Sequence, residues 1–427
     1  MRFLTCCLMS SAVLLPGAAN AVKLKPIIDT RLRYEMVDQD GIGHKANAIT
    51  ARARLGVEAV EGPLSFLVEA EGTMALDEKY ASGLNRKTLL PPATGYPIVA
   101  DPEDVEINRI QLQYKGFSNT VVTAGRQRIN LDDQRFVGAV GWRQNEQTFD
   151  AVRVEYGGIK NLKVDMTYSW SARTIWGVDG GARGFVARPQ AIDGNQIFAN
   201  LAYKTPYGTL SGFFYQIDED EAAVALQRNS SATFGARFAG SHPLSKKVKL
   251  NYVLSYAHQQ DIDTNPLDYS ADYYLVEGGL DIAALKLAVG VEQLGSDQSV
   301  KTKATGLPFA GGFAFQTPFA TLHKFQGWAD KFLTTPAQGI TDYYASTSYG
   351  WKKVGPFDVV SATAAYHRFD SDVGKVRYGD EIDLQLQARI KKYTMTAKYA
   401  DYRRKGVASY AGDADTKKFW LQLEWAF

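Results

Sequence analysis

Cysteine is nearly missing from this chain: the two present, Cys6 and Cys7, are adjacent and near the start. The remaining residues hold no disulfide framework and no cysteine-based metal site. Charge of one sign is missing too, with 48 Lys+Arg against 46 Asp+Glu. Bulk electrostatics therefore name no partner, and any charge-based function lies in where the charges sit. No apolar run beyond the first residues approaches the roughly 20 residues that a bilayer-spanning helix needs. Proline is sparse at 15 residues, so few segments are barred from strands. There is no P-loop, no Cys/His metal constellation and no basic nucleic-acid patch, so no cofactor, metal or nucleic-acid partner is expected.

What the chain does have is aromatic residues at 12%, with 23 Tyr and 21 Phe, and 38 Gly, a composition suited to many strands joined by turns. Its first residues read as a secretory signal peptide: Arg2 supplies the charge, Phe3 to Leu15 the apolar core, and Ala19-Asn20-Ala21 the small-residue cleavage site. Residues 1–21 are assigned to that peptide and 22–427 to a single domain. Both cysteines fall inside the peptide, too early in its apolar core to suit lipid attachment.

Period-two alternation recurs from Leu24 to Phe427. In the first segment Ile28, Leu32 and Tyr34 oppose Asp29, Arg31, Arg33 and Glu35, and in the next Ala51, Ala53, Leu55 and Val57 oppose Arg52, Arg54 and Glu58. Such segments number about eighteen, close to ten residues each, the length of a tilted membrane-crossing strand. Connections after even-numbered segments are short, as at Glu61–Pro63 and Ala283–Ala284, whereas those after odd-numbered segments are mostly longer and more polar, as at Leu76–Asp104 and Ser296–Asp342. Segregation of loop length by parity is the signature of an outer-membrane barrel with short periplasmic turns and long extracellular loops. The fold expected is all-β: a closed transmembrane antiparallel barrel, because in hydrocarbon every backbone polar group must pair within the protein. The last segment alternates Phe419, Leu421, Leu423, Trp425 and Phe427, and its terminal aromatic suits recognition by barrel-assembly machinery. Outer-membrane lipid and that machinery are the partners this reading names.

A barrel of this size leaves an aqueous lumen. Alternation assigns Arg31, Arg33, Arg52, Arg54, Arg109, Arg126, Arg128, Arg153, Arg389 and Lys398 to the inner face, together with Asp29, Glu35, Glu58, Glu69, Glu71, Glu155 and Asp383. Two readings compete. In one, cross-strand ion pairs merely stiffen a wet wall. In the other, arginines locally in excess form a track for carboxylates, since guanidinium offers fixed forked donors to such groups. The clustering between the second and sixth segments favours the track.

The stretch Gly125-Arg126-Gln127-Arg128-Ile129-Asn130-Leu131-Asp132-Asp133-Gln134-Arg135-Phe136-Val137-Gly138, followed by Gly141-Trp142-Arg143-Gln144 and Thr148-Phe149-Asp150-Ala151, resembles the signature hairpin of the alginate-export family of outer-membrane porins. The resemblance implies an eighteen-stranded barrel with an arginine-lined, anion-selective pore that passes an acidic polysaccharide or a related anionic saccharide. It assigns Arg126, Arg128, Asp132, Asp133, Arg135 and Arg143 to a constriction or to the anchoring of a loop. An infolded loop over Leu131–Gln144 is expected to narrow the pore. The alternatives are an outer-membrane barrel enzyme acting on lipid and an adhesion or scaffold barrel. The enzyme is disfavoured, because His44, His242, His258, His323 and His367 are scattered and no Gly-x-Ser-x-Gly elbow is present. For the adhesin, the apolar run Gly306–Phe319 is the feature to watch: it touches membrane, touches a partner, or packs into the lumen.

Overall fold

The computed structural model describes residues 22–182, 185–220, 223–262, 264–405 and 414–427. The segment assigned to a signal peptide lies outside them. Eighteen strands form one sheet that closes on itself, each paired antiparallel with its chain neighbours and the first with the last. They are β1 (Lys23–Gln39), β2 (Ala46–Glu61), β3 (Leu64–Lys79), β4 (Asp104–Tyr114), β5 (Thr120–Gln127), β6 (Thr148–Tyr156), β7 (Leu162–Arg173), β8 (Ala191–Thr205) and β9 (Gly208–Ile217). The second half comprises β10 (Ser231–Pro243), β11 (Val248–Asp261), β12 (Ser270–Ile282), β13 (Leu285–Leu294), β14 (Ile340–Val354), β15 (Phe357–Asp370), β16 (Arg377–Ile390), β17 (Tyr393–Arg404) and β18 (Thr416–Ala426). The alternation read from sequence thus maps strand for strand onto the barrel. No helix among the described residues is long and apolar enough to cross a membrane; the crossing is made by strands.

Loop parity holds throughout. Two residues join β2 to β3, β8 to β9, β12 to β13, β14 to β15 and β16 to β17, whereas residues 80–103, 128–147 and 295–339 make long excursions at the other end. The outer face carries exposed Leu32, Leu55, Leu112, Leu201, Val276, Val289 and Leu421. Aromatics flank this apolar band. Tyr203, Tyr349, Trp351 and Tyr393 lie toward the short turns, and Tyr168, Trp170, Tyr256 and Tyr343 toward the long loops, the two girdles of a membrane barrel. The buried apolar cluster lies inside the wall: Phe149, Phe198, Phe213 and Trp420 point inward and meet Ile129, Val137, Phe315, Phe319 and Phe332 from two long loops.

Candidate pore constriction

The third extracellular loop, residues 128–147, leaves β5 and turns into the lumen. Strand pairing ends at Gln127 rather than continuing to Asn130, so Arg128 and Asn130 belong to the loop. Positive φ at Asp132 (46°), Gln134 (69°) and Val140 (52°) bends the backbone back on itself. Polar side chains fasten each bend to a different part of the wall. Asp132 accepts hydrogen bonds from Asn200 Nδ2 (2.7 Å) and Ser211 Oγ (3.1 Å), and Asp133 pairs with Arg237 at 3.2 Å. Arg135 donates to Glu292 Oε1 (2.7 Å) and Thr317 Oγ1 (2.9 Å). Arg143 meets Asp330 at 2.8 Å and Glu35 at 3.6 Å. Burial opposes the charge on Arg143, but those two carboxylates overcome it and its pKa is raised.

The seventh extracellular loop, residues 295–339, folds in beside it. The second half of its apolar run goes to the lumen: Phe315 and Phe319 are fully buried, packed respectively against Tyr273 and against Phe149 and Phe198. Of the three destinations open to this run, residues 313–319 take the lumen, while Leu307 in its first half stays exposed. Backbone bonds join the two loops, Gly138 N–H to Phe319 O (2.9 Å) and Thr321 N–H to Gln134 O (3.1 Å). Gly138 permits this approach, because a Cβ there would collide with Thr321 Oγ1. Carboxylates on β16 hold the far end: Asp383 accepts from Trp328 N–H (3.2 Å) and Glu381 from Ala329 N–H (2.6 Å).

A compact polar knot locks both loops to the wall. Asp330 accepts from His323 Nδ1 (2.7 Å), Arg143 Nη2 (2.8 Å) and Lys418 Nζ (2.7 Å). His323 stacks on Trp142 with ring centroids 4.5 Å apart and 4° between planes, while its Nε2 lies 2.8 Å from Lys398 Nζ. The Lys398 ammonium sits over Trp142 (4.1 Å) and Trp328 (3.7 Å), a cation–π cage that satisfies a buried charge without a full complement of oxygens. Burial drives His323 well below the ordinary histidine range, Asp330 pulling against it and Lys398 adding to it, so the ring is neutral and its Nε2 accepts a hydrogen bond from the lysine. Burial acts oppositely on Asp330, but His323, Lys418 and Arg143 together hold its carboxyl well below the usual range. Sequence reasoning placed Lys398 on the inner face but missed His323, Trp142, Asp330 and Lys418 as its companions.

The arginine wall lies beneath the third loop. Arg31 meets Glu424 at 2.6 Å and donates to the carbonyls of Trp142 (3.0 Å) and Arg143 (2.9 Å). Arg33 is fully buried, donates to Gln422 and to Trp142 O, and lies 4.2 Å over the Trp142 ring. Arg52 pairs with Asp29, and Arg54 with Glu71 and with Glu146 at 3.1 Å. Arg109 forks onto Glu69 at 2.8 and 2.7 Å, and Arg128 pairs with Glu146. Every one of these guanidiniums thus has a carboxylate within reach or a carbonyl cap. The local excess of arginine expected from strand alternation is cancelled by residues that alternation could not place: Asp101 and Glu146 on loops, and Glu424 on the last strand.

Two positions need correcting or refining. Arg126 is opposite Ile110 on one side and Asp150 on the other, in phase with Val122 and out of phase with the buried Thr123 and Gln127. It therefore faces outward near the loop end of the wall, forked onto Asp150 at 2.8 and 3.0 Å and donating to Ile107 O (2.9 Å). Alternation defines two faces of a strand but not which of them points in, and Arg126 suggested the wrong one for β5. Arg153 pairs with Thr123 across the inner face and binds Asp165 at 2.9 and 2.5 Å, apart from the other arginines. Among the described histidines, His258 and His367 are each held by an aspartate, Asp272 at 2.8 Å and Asp342 at 2.9 Å.

A closed eighteen-stranded barrel with an apolar girdled exterior, a polar interior and a lumen narrowed by two infolded loops is an outer-membrane porin of a Gram-negative bacterium. The comparisons specify which kind. Residues 24–284 match the family described as alginate export, and the chain belongs to that family. Solved barrels from two bacteria superimpose over nearly the whole chain. Pseudomonas aeruginosa OpdL has a TM-score of 0.64 at 14% identity, covering 95% of this chain and 98% of its own. Acinetobacter baumannii OccAB2 has a TM-score of 0.67 at 15% identity, covering 94% and 98%. Pseudomonas aeruginosa OpdK, solved with vanillate, has a TM-score of 0.63 at 12% identity, covering 95% and 98%. At such identities the likeness establishes the fold alone. A search of curated proteins returns no match. Family and fold are those of channels rather than of enzymes.

Proposed function

We propose that this porin passes an acidic saccharide, of which alginate is the example its family supplies, along the arginine wall. One observation carries the reading: Arg109 of the wall and Arg128 of the third loop, neighbours through their shared partner Glu69, keep 15% and 31% of their side chains open while ion-paired. A carboxylate of the passing chain can exchange with Glu69 or Glu146 without any guanidinium being stranded, so the saccharide is gripped by substitution rather than by a standing surplus of charge. Arg33, Arg135 and Arg143 are buried and act as loop anchors; Arg153 is a lesser contact elsewhere in the lumen.

Planar-bilayer recording tests this. The expected result is an anion-selective conductance blocked by uronic-acid oligomers, with selectivity lowered by Arg109→Ala combined with Arg128→Ala. A cation-selective channel, or a double variant that selects and blocks like the wild type, would refute it.

A further inference from the structure

At the periplasmic mouth the inner wall changes character. Lys204 of β8, Lys286 of β13, Lys352 of β14 and Arg389 of β16 are all exposed, all near the strand ends at the short turns, and form no ion pair among the described residues. Register puts each on the inward side. Lys204 is in phase with the buried Asn200, Lys286 with Glu292, Lys352 with Asp342 and Arg389 with Asp383. Three more lysines complete the ring but are matched by carboxylates: Lys25 with Glu58 (2.9 Å), Lys163 with Glu155 (2.9 Å) and Lys249 with Asp281 (3.1 Å). The turns themselves add Lys246, Lys247, Lys391 and Lys392, all exposed. At the opposite end a rim cavity of about 200 Å³ is lined by Glu78, Glu103 and Asp179. The inner wall at the short-turn end thus carries seven cations, three of them matched by Glu58, Glu155 and Asp281.

We infer that the periplasmic mouth is a capture site for the polyanion, a ring of unpaired cations that collects the acidic chain from the periplasm and feeds it upward to Arg109 and Arg128. The inference rests on the acidic-saccharide reading and adds a direction to it. Lysine suits such a role, because a compact, hydrated charge on a flexible stem binds weakly and lets go, whereas the forked arginines higher up hold geometry. Lipid headgroups account for turn lysines on the outside of the wall, but no headgroup reaches side chains that point into the lumen. A mouth lined by one sign of charge raises the encounter rate of an oppositely charged ligand, by about 10- to 1,000-fold in steered associations, and that gain collapses with salt.

The test is one-sided block in planar bilayers. Orientation of each channel is read from Ser348→Cys, an inward position near the short turns, by the side on which an impermeant charged thiol reagent changes the conductance. Oligouronate is then added to one side at a time. The expected on-rate of block is about tenfold higher from the periplasmic side at low salt, an advantage that vanishes at high salt and in the Lys204→Gln, Lys286→Gln, Lys352→Gln, Arg389→Gln variant, while dwell time in the pore is unchanged. Equal on-rates from both sides in the wild type overturn the capture site yet leave the acidic-saccharide reading standing. An asymmetry that survives in the quadruple variant also overturns it. Absence of block from either side removes both.

Discussion

Asp330→Asn is the sharpest perturbation this architecture offers. The carboxylate accepts from His323, Arg143 and Lys418, all within 2.7 to 2.8 Å, and is 3% exposed. Removing its charge strands Lys418 beside Lys398 and leaves Arg143 with Glu35 alone, in a dry pocket. Each charge-assisted bond contributes about 1.5–3 kcal/mol and the three are not additive; breaking one partner out of a buried ionic cluster costs about 3–5 kcal/mol in total. That penalty falls on the docking of the two loops, not on the wall, whose strand ladders do not involve Asp330. The barrel should therefore fold and insert, while the loops spend a measurable fraction of time withdrawn. Single-channel records should show larger mean conductance with added open-state noise, and limited proteolysis should cut within 295–339 where the wild type resists. A variant with wild-type conductance, noise and protease resistance would show that the knot does not hold the loops, and the energetic argument would fail.

Acidification should loosen the same knot. With the seventh loop withdrawn, His323 titrates near pH 6.5; docked, it stays neutral far below that, so docking is strongest above about pH 6.5 and weakens as pH falls through it. The loss reaches about 2 kcal/mol near pH 5. Because Asp330 titrates well below its ordinary range when docked, a second loss begins only below about pH 4. Conductance noise measured against pH should rise in the first window, and His323→Gln should abolish that rise. Gly138→Ala forces the Cβ into Thr321 Oγ1 at the contact between the loops. An overpacking cost of about 1–3 kcal/mol should separate them and raise conductance even at neutral pH, and an unaltered channel would show that the loops do not need that approach.

How much of this was legible in the sequence follows from what repeats. Strands repeat with period two, so Leu24 to Phe427 could be parsed into eighteen crossings and the loops sorted by parity from the residues alone. Loop 128–147 has no period. Arg128 and Asn130 continue the alternation of β5 by coincidence, which extended that strand three residues too far. The partners that neutralise the arginines are remote in sequence: Arg31 and Glu424 lie 393 residues apart, and Arg143 and Asp330 lie 187 apart. No local pattern announces such pairs. A cue that was present is the clustering of tryptophan and histidine in the two loops that enter the lumen, at Trp142, His323 and Trp328, since a mobile exposed loop has little use for them.

Two of the wall arginines also straddle the junction between the first and last strands. Arg31 and Arg33 of β1 bind Glu424 and Gln422 of β18, across the ladder that joins the first strand to the last. These contacts need that seam to be closed, and the third loop is held by the same two guanidiniums through the Trp142 and Arg143 carbonyls. A sheet open at this seam consequently lacks two of the third loop's anchors, while those to Asn200, Arg237 and Glu292 do not depend on it. The seam and the third loop are thus coupled: closing the wall between the first and last strands also supplies two of the anchors on which the narrowing of the lumen depends.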